Sequence, residues 1–146
     1  MRKNAKKHIL TALVLCNLAF VWGNSLMTGT DSGELSGGIV EWLGQFLPLL
    51  ATETGHNLIR KAAHFSEFCL LGLLTGGQRL ASEKALKPGL AGFGLAVACI
   101  DETIQIFVPG RGSGLLDVWI DAAGFAVGLF MLAIGHTLIK RKKQGE

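Results

Sequence analysis

The feature that most constrains this chain is an uncharged, apolar run from Ile9 to Met27. An α-helix rises about 1.5 Å per residue, so about 20 mainly apolar residues cross the hydrocarbon layer of a bilayer, which is about 30 Å thick. The basic residues before the run resemble the start of a cleavable signal peptide, but the run is long and its cleavage site is poor. We therefore predict a retained transmembrane helix at about residues 9–27.

The composition indicates that the whole chain belongs in a membrane. Of its 146 residues, 49% are hydrophobic and 17% are charged, and the mean hydropathy is +0.42. Three further apolar segments carry charges within them, and they run from about Ala62 to Leu80, Pro88 to Val108 and Leu115 to Ile139. We predict an all-α, polytopic membrane protein with about four transmembrane helices, which form a single domain over residues 1–146.

The basic residues are distributed unevenly between the predicted connections. Most of the 14 Lys and Arg precede the first predicted helix, lie between the second and third, or follow the fourth, while Arg60, Lys61 and Arg111 lie in the other connections. The positive-inside rule then predicts a multi-pass membrane protein with cytoplasmic N- and C-termini. Because the basic residues sit at chain ends and in one short turn, we expect no nucleic-acid partner.

Carboxylates from three predicted helices lie at one depth under this topology. Counting about 1.5 Å per residue, Glu67, Asp101 and Asp121 lie roughly 7 to 10 Å below the outer boundary of the hydrocarbon layer. Ionisable groups in a bilayer usually face the interior of a helix bundle and pair with one another. Gly124 and Gly128 continue the face of Asp121 as a Gly-x-x-x-Gly pair, which favours close approach of two helices.

The predicted polar cluster lies in the outer leaflet and at the adjoining loop. Its members are Arg60, Lys61, His64, Glu67, Asp101, Glu102, Gln105, Arg111, Asp117 and Asp121. For each cation taken singly we favour a role in neutralising nearby carboxylates, and for the cluster as a whole a functional role. Because His64 is the one histidine in this set, we predict neither a histidine-rich zinc site nor a cofactor.

A longer external segment separates the first two predicted helices. Apolar residues recur there at helical spacing, at Leu35, Ile39, Leu43, Phe46, Leu47 and Leu50. This pattern predicts an amphipathic helix on the outer membrane surface, which Pro48 bends or ends, and a re-entrant hairpin is the alternative. The short segment 109–114 predicts a tight reversal between the last two helices.

Several ordered motifs now permit a comparison with a known family. They are Leu58-Ile59-Arg60-Lys61-Ala62-Ala63-His64-Phe65-Ser66-Glu67-Phe68, Asp101-Glu102-Thr103-Ile104-Gln105, Pro109-Gly110-Arg111 and Asp117-Val118-Trp119-Ile120-Asp121-Ala122-Ala123-Gly124. Together they resemble the VanZ-like family of small bacterial membrane proteins. The resemblance implies a link to resistance against glycopeptide antibiotics, teicoplanin above all, without modification of the usual peptidoglycan terminus. It implies no established biochemical activity.

Two classes of function follow from the sequence. We favour a non-enzymatic envelope protein whose cluster engages membrane lipid, a cell-wall precursor or a lipoglycopeptide, and so lowers antibiotic susceptibility. The alternative is an intramembrane enzyme acting on a lipid-linked or cell-wall precursor substrate. It would use His64, Glu67, Asp101, Asp117 and Asp121 as metal ligands or as acid and base. A transporter would require several copies to enclose a path, and the sequence does not predict the oligomeric state.

Overall fold

The chain is helical throughout the part for which the structure, a computed structural model, describes a conformation, namely residues 2–45, 52–87 and 89–145. Within those ranges there are five α-helices and no strand. The helices are α1 (Arg2–Ser25), α2 (Gly29–Gly44), α3 (Glu53–Ala81), α4 (Gly89–Ile106) and α5 (Leu115–Gln144). The prediction of an all-α protein is confirmed.

Four of these helices form a ring. The most extensive contact is between α3 and α5, α1 packs against α3, α4 packs against α5, and α1 meets α4 to close the ring. The helix α2 lies outside the ring and contacts α3. The short loop between α4 and α5 therefore joins two neighbours in the ring, as in other helical bundles.

Glycines set the distance between α3 and α5. A Cβ atom on Gly124 would collide with the backbone oxygen of Phe65, and one on Gly128 with the backbone oxygen of Cys69. Gly72 on α3 makes an equally close approach to the backbone of α5. The backbones of the two helices are thus in direct contact, and the predicted role of the Gly-x-x-x-Gly pair is confirmed.

Apolar side chains lie on the outside of the bundle as well as in its core. Phe68, Leu71 and Phe125 are fully buried, whereas the outward faces expose many large apolar residues, among them Leu15 and Phe130. In the described part of the chain, three segments are long and apolar enough to cross a membrane: Asn4–Ser25, Gly89–Ile106 and Leu115–Gln144. The chain is a multi-pass membrane protein.

The helix α3 extends beyond the apolar segment predicted from about Ala62 to Leu80. It is 29 residues long and begins at Glu53, where Thr52 accepts a hydrogen bond from the Gly55 amide. This helix-capping threonine stabilises additional turns before the apolar segment. Because α3 carries Arg60 and other charges, it is not among the three apolar segments, and a fourth membrane crossing stays a prediction.

The helix α2 occupies the first part of the predicted external segment. It begins after Thr28, whose hydroxyl accepts a 3.2 Å hydrogen bond from the Asp31 amide. Its position on the membrane surface stays a prediction. The remaining positions of the predicted pattern, Phe46, Leu47, Pro48 and Leu50, lie outside the described residues, as does Pro88 at the predicted start of the third helix.

The two ends of the bundle differ in chemistry. At one end, Lys84 and Lys140 line the same cavity of about 470 Å³, and Gln78 donates to Thr11, which brings the start of α1 to the end of α3. We call this the basic end. At the opposite end the Gly29 amide donates a 3.1 Å hydrogen bond to the Pro109 carbonyl. The candidate site lies at this second end, which we call the polar end.

Candidate functional site

Three ionisable side chains from three helices meet inside the bundle at the polar end. Asp101 of α4 is 0% exposed and Asp121 of α5 is 1% exposed, while His64 of α3 is 15% exposed. His64 Nδ1 lies 3.7 Å from Asp101 Oδ2 and 3.8 Å from Asp121 Oδ1. We call these three residues the inner cluster. Asp101 and Asp121, which were predicted to lie at one depth, therefore both lie close to His64.

Asp101 is held from two sides. The Ser25 hydroxyl of α1 donates a 2.6 Å hydrogen bond to Asp101 Oδ1, and Gln105 Nε2 donates a 2.9 Å hydrogen bond to Asp101 Oδ2. Ser25 and Gln105 are themselves buried. Hydrogen bonds to a buried carboxylate are strong and fix its orientation. Asp101 is therefore positioned before any ligand binds.

Asp121 has the opposite environment. Within the described ranges, neither of its carboxylate oxygens has a hydrogen-bond partner, and the same holds for Nδ1 of His64. Buried polar atoms are nearly always hydrogen-bonded, so unpartnered atoms at one place require an explanation. These atoms of Asp121 and His64 face one another across the inner cluster.

Glu67 lies one turn along α3 from His64. Its Oε1 accepts a 2.9 Å hydrogen bond from the Asn24 side chain of α1. Its Oε2 is buried and has no hydrogen-bond partner among the described residues. The end of α1 thus contributes polar contacts both to Glu67, through Asn24, and to Asp101, through Ser25.

Glu102 supports the loop between α4 and α5. Its Oε2 accepts a 3.0 Å hydrogen bond from the amide of Gly114, the residue that precedes α5, and its Oε1 accepts from Gln105. Gly110 in this loop has a φ of 73°, a left-handed conformation that glycine adopts readily. The predicted tight reversal is confirmed, and Glu102 stabilises it.

Over the described part of the chain, Lys61 and Arg111 form no ion pair with Asp101 or Asp121. Lys61 forms an ion pair with Asp117, and both side chains are partly exposed. Arg111 donates instead to the backbone carbonyls of Asn24 and Met27 at the end of α1. The expected neutralisation of carboxylates by cations is therefore seen for Lys61, whereas Arg111 caps a helix.

Arg111 remains a positive charge next to the cluster. Burial lowers the pKa of its guanidinium from the ordinary value, and the nearby Arg60 lowers it further, while Asp101, Glu102 and Glu67 act in the opposite direction. Arginine has so high an intrinsic pKa that it stays protonated in proteins. The loop thus adds a fixed cation to the polar end.

A groove runs from the polar end along the outside of α1 and α3. Its volume is about 390 Å³, and its walls are predominantly apolar, with Phe20, Met27 and Ile59 among the lining residues. The polar part of its lining is formed by Asn24, Ser32, Arg60, His64, Glu67 and Arg111. The groove thus combines a hydrocarbon surface with charged groups.

His64 also lines a second, much smaller cavity. It measures about 10 Å³, and its lining includes His64, Asp121, Asp117, Arg60 and Lys61. This volume is close to the smallest that holds one water molecule. Within the inner cluster, His64 therefore lines both the small cavity and the groove, and Asp121 lines the small cavity.

The structure divides the residues of the predicted polar cluster into a buried group and several separate contacts. It brings His64, Asp101, Gln105 and Asp121 into one buried group, with Glu67 beside it. Lys61 and Asp117 form a separate, more exposed pair, and Glu102 and Arg111 hold the loop and the end of α1. Arg60 lines both the groove and the small cavity.

Sequence reasoning left Asn24 and Ser25 out of the predicted cluster. They are polar residues at the end of an apolar helix, and the depth count that located Asp101 also places the end of α1 near the outer boundary. A polar residue at the end of an apolar helix, at the same level as Asp101, is therefore the sequence feature that indicates their place in the site. No charge marks either residue, so a search for ionisable groups passes over them.

The fold and the site together define a class: a small multi-pass helical membrane protein with ionisable residues buried at one end of its bundle. Within that class the chain belongs to the VanZ/LLP1 family, whose model matches residues 9–136. The match includes every residue of the inner cluster and its hydrogen-bond partners. Comparison with curated proteins and with solved structures gives no match.

Proposed function

We propose that this VanZ/LLP1 protein binds the polar head of an amphiphile in the outer leaflet of the bacterial cytoplasmic membrane. Through this binding it lowers susceptibility to lipid-tailed glycopeptides such as teicoplanin. The observation that carries the proposal is the groove, which joins apolar walls to the charged residues Arg60, His64, Glu67 and Arg111. Binding sites for such ligands are concave and mostly apolar, with a few polar groups that fix orientation.

The position of the groove relative to the bilayer supports this function. With both termini cytoplasmic, the basic end faces the cytoplasm and the polar end lies in the outer leaflet. Phe20 and Met27 then lie where a hydrocarbon tail lies, and Arg60 and Arg111 where a headgroup lies. Guanidinium groups recognise phosphate and carboxylate oxygens, which lipids, cell-wall precursors and glycopeptides all carry.

The first experiment measures antibiotic tolerance in a susceptible Gram-positive host. Expression of the wild-type chain should raise tolerance to teicoplanin more than to vancomycin, which lacks the lipid tail. Glu67→Gln and Asp121→Asn should abolish the difference, and Glu34→Gln, an exposed change on α2, should leave it intact at equal protein level. If the wild type confers no tolerance, the antibiotic role is wrong; if the two cluster variants protect fully, the cluster does not bind the ligand.

A second experiment tests the groove itself. Ala63 lines the groove, whereas its neighbour Ala62 is also exposed but lies outside the lining. Ala63→Phe should therefore fill the groove and reduce tolerance to teicoplanin, and Ala62→Phe should have little effect. Equal protection by the two variants would show that the groove is not the binding surface.

The second candidate function is an intramembrane enzyme acting on a lipid-linked or cell-wall precursor substrate. One observation favours it, namely that His64, whose Nδ1 has no hydrogen-bond partner among the described residues, lines a groove suited to an amphiphile. Reactive groups in enzymes are often left without partners until substrate binds. Incubation of purified protein with bacterial membrane lipids and lipid-linked precursors distinguishes the two candidates, because turnover lost in His64→Ala requires an enzyme.

A further inference from the structure

The inner cluster has the composition of a metal site. It offers one imidazole nitrogen and two carboxylate oxygens, from His64, Asp101 and Asp121, and these three ligand atoms lie within 4.8 Å of one another. In a tetrahedral zinc site, bonds of about 2.0 to 2.1 Å place neighbouring ligand atoms about 3.3 Å apart. The observed distances of 3.7 and 3.8 Å from His64 Nδ1 require only small side-chain rotations.

A second observation points to a ligand at the same place. Asp121 is 1% exposed, yet over the described ranges both its oxygens and the facing Nδ1 of His64 lack hydrogen-bond partners. A cavity of about 10 Å³, close to the size of one water molecule, adjoins His64 and Asp121, and Arg60 and Lys61 line it as well. A bound cation would satisfy all these atoms at once.

Charge balance supports a dication in particular. Two buried carboxylates and a neutral imidazole carry two negative charges, which a divalent ion cancels without a further partner. Among the neighbouring cations, Lys61 pairs with Asp117, and Arg111 adds a positive charge nearby but donates its hydrogen bonds to the carbonyls of α1.

We propose that His64, Asp101 and Asp121 bind one divalent metal ion, zinc in preference to magnesium or calcium. Imidazole suits zinc, whereas magnesium and calcium prefer sites made of oxygen ligands. Three protein ligands leave a fourth zinc position open, as in catalytic zinc sites. Because His64 also lines the groove, that open position is available to a headgroup oxygen.

The surroundings of Asp101 fit this assignment. Carboxylates that bind metals are usually oriented by outer hydrogen bonds, and Ser25 and Gln105 provide such bonds to Asp101. The proposal revises the expectation from sequence, which favoured no metal and named these residues as metal ligands only in the enzyme alternative. It does not depend on the proposed function, since metal binding is measurable without any antibiotic or lipid.

The experiment uses the full chain, purified in detergent without a polyhistidine tag, stripped with a chelator and then titrated with zinc chloride. After desalting, elemental analysis should find one zinc per wild-type chain, and thermal unfolding should shift to higher temperature in the presence of zinc. Magnesium chloride at the same concentration should produce no such shift. Absence of stoichiometric zinc in the wild type overturns the proposal.

Substitutions of the proposed ligands test where the zinc ion binds. His64→Ala and Asp121→Asn should weaken zinc binding by more than about 100-fold, because loss of even an outer partner of a ligand costs roughly 10- to 100-fold. Glu34→Gln is the control, since it makes the equivalent carboxylate-to-amide change at an exposed residue of α2 and should keep wild-type affinity. Zinc retained by both cluster variants places the ion elsewhere and refutes the assignment.

One measurement needs no variant and so is independent of their folding. X-ray absorption at the zinc edge of the wild-type protein should show nitrogen and oxygen ligands, one imidazole and no sulfur. A sulfur ligand would implicate a cysteine and contradict the site. Two or more imidazoles would equally contradict it, because the inner cluster contains His64 as its single histidine.

Discussion

Ser25 donates a 2.6 Å hydrogen bond to Asp101, which follows it in the chain by 76 residues. This bond joins the apolar span of α1 to the most deeply buried carboxylate of the site. It also explains why α1 ends where it does relative to α4, because the bond requires Ser25 and Asp101 at the same level. The first helix is therefore part of the candidate site as well as a membrane span.

Ser25→Ala tests that bond. Loss of a hydrogen bond to a charged acceptor costs about 1.5 to 3 kcal/mol, so the variant should unfold at a clearly lower temperature than the wild type. Ser66→Ala is the control, because the exposed Ser66 hydroxyl bonds only to the Ala62 carbonyl of its own helix among the contacts described. The measurement is thermal unfolding in detergent, and equal stabilities would show that α1 is not held through Ser25.

Gly128→Val tests the contact between α3 and α5. A side chain at Gly128 meets the backbone of Cys69, which cannot move aside, so we expect a loss of about 1 to 3 kcal/mol or failure to accumulate in the membrane. Gly135 lies on the same helix, and among the described atoms none is within 4 Å of a Cβ built there. Gly135→Val should therefore express and melt like the wild type.

Comparable behaviour of the two valine variants would contradict the backbone contact. The measurement is again thermal unfolding, together with the amount of protein recovered from the membrane fraction.

Counting residues along the predicted helices places Asp101 and Asp121 at one level, because the rise of a helix is constant, and the structure brings both side chains to His64. Their depth in the bilayer stays a prediction. The turns of α3 before Ala62 do not follow from the apolar segment, because a local cap at Thr52 extends the helix beyond it. The role of Arg111 was missed because its partners are backbone carbonyls, which no residue pattern reveals.

Membrane topology provides the third prediction. A reporter fused after Lys84 should be cytoplasmic, and one fused after Gly112 should be external, because the basic end follows the positive-inside rule. This arrangement requires α3 to cross the membrane despite its charges. Reporters on the same side at both positions would show that α4 does not cross, and an external Lys84 would invert the site to the inner leaflet.

Arg111→Lys is the fourth prediction. A planar guanidinium reaches the carbonyls of Asn24 and Met27 together, and a lysine ammonium cannot reproduce that geometry. The loop should then loosen, and the Gly29 amide, which bonds to Pro109, should exchange its hydrogen roughly tenfold faster. Hydrogen exchange measured by mass spectrometry on peptides spanning α1 and α2 provides the test.

Arg79→Lys serves as the control for that exchange experiment, since Arg79 lies at the basic end and contacts the Ala85 carbonyl. It should leave exchange at Gly29 unchanged. If Arg111→Lys also leaves hydrogen exchange at Gly29 unchanged, Arg111 does not hold the loop, and Glu102 and the Gly29 amide do.

The direct contact of α3 with α5 has a mechanical consequence for the groove. Interlocked backbones resist sliding and separation, so the wall that carries His64 and Glu67 is rigid. The opposite wall, built from α1 and the start of α2, is joined to α3 by side chains, among them Asn24, which donates to Glu67. Side chains rotate more easily than interlocked backbones separate, so we expect a bulky ligand to displace the α1 side of the groove before the α3 side.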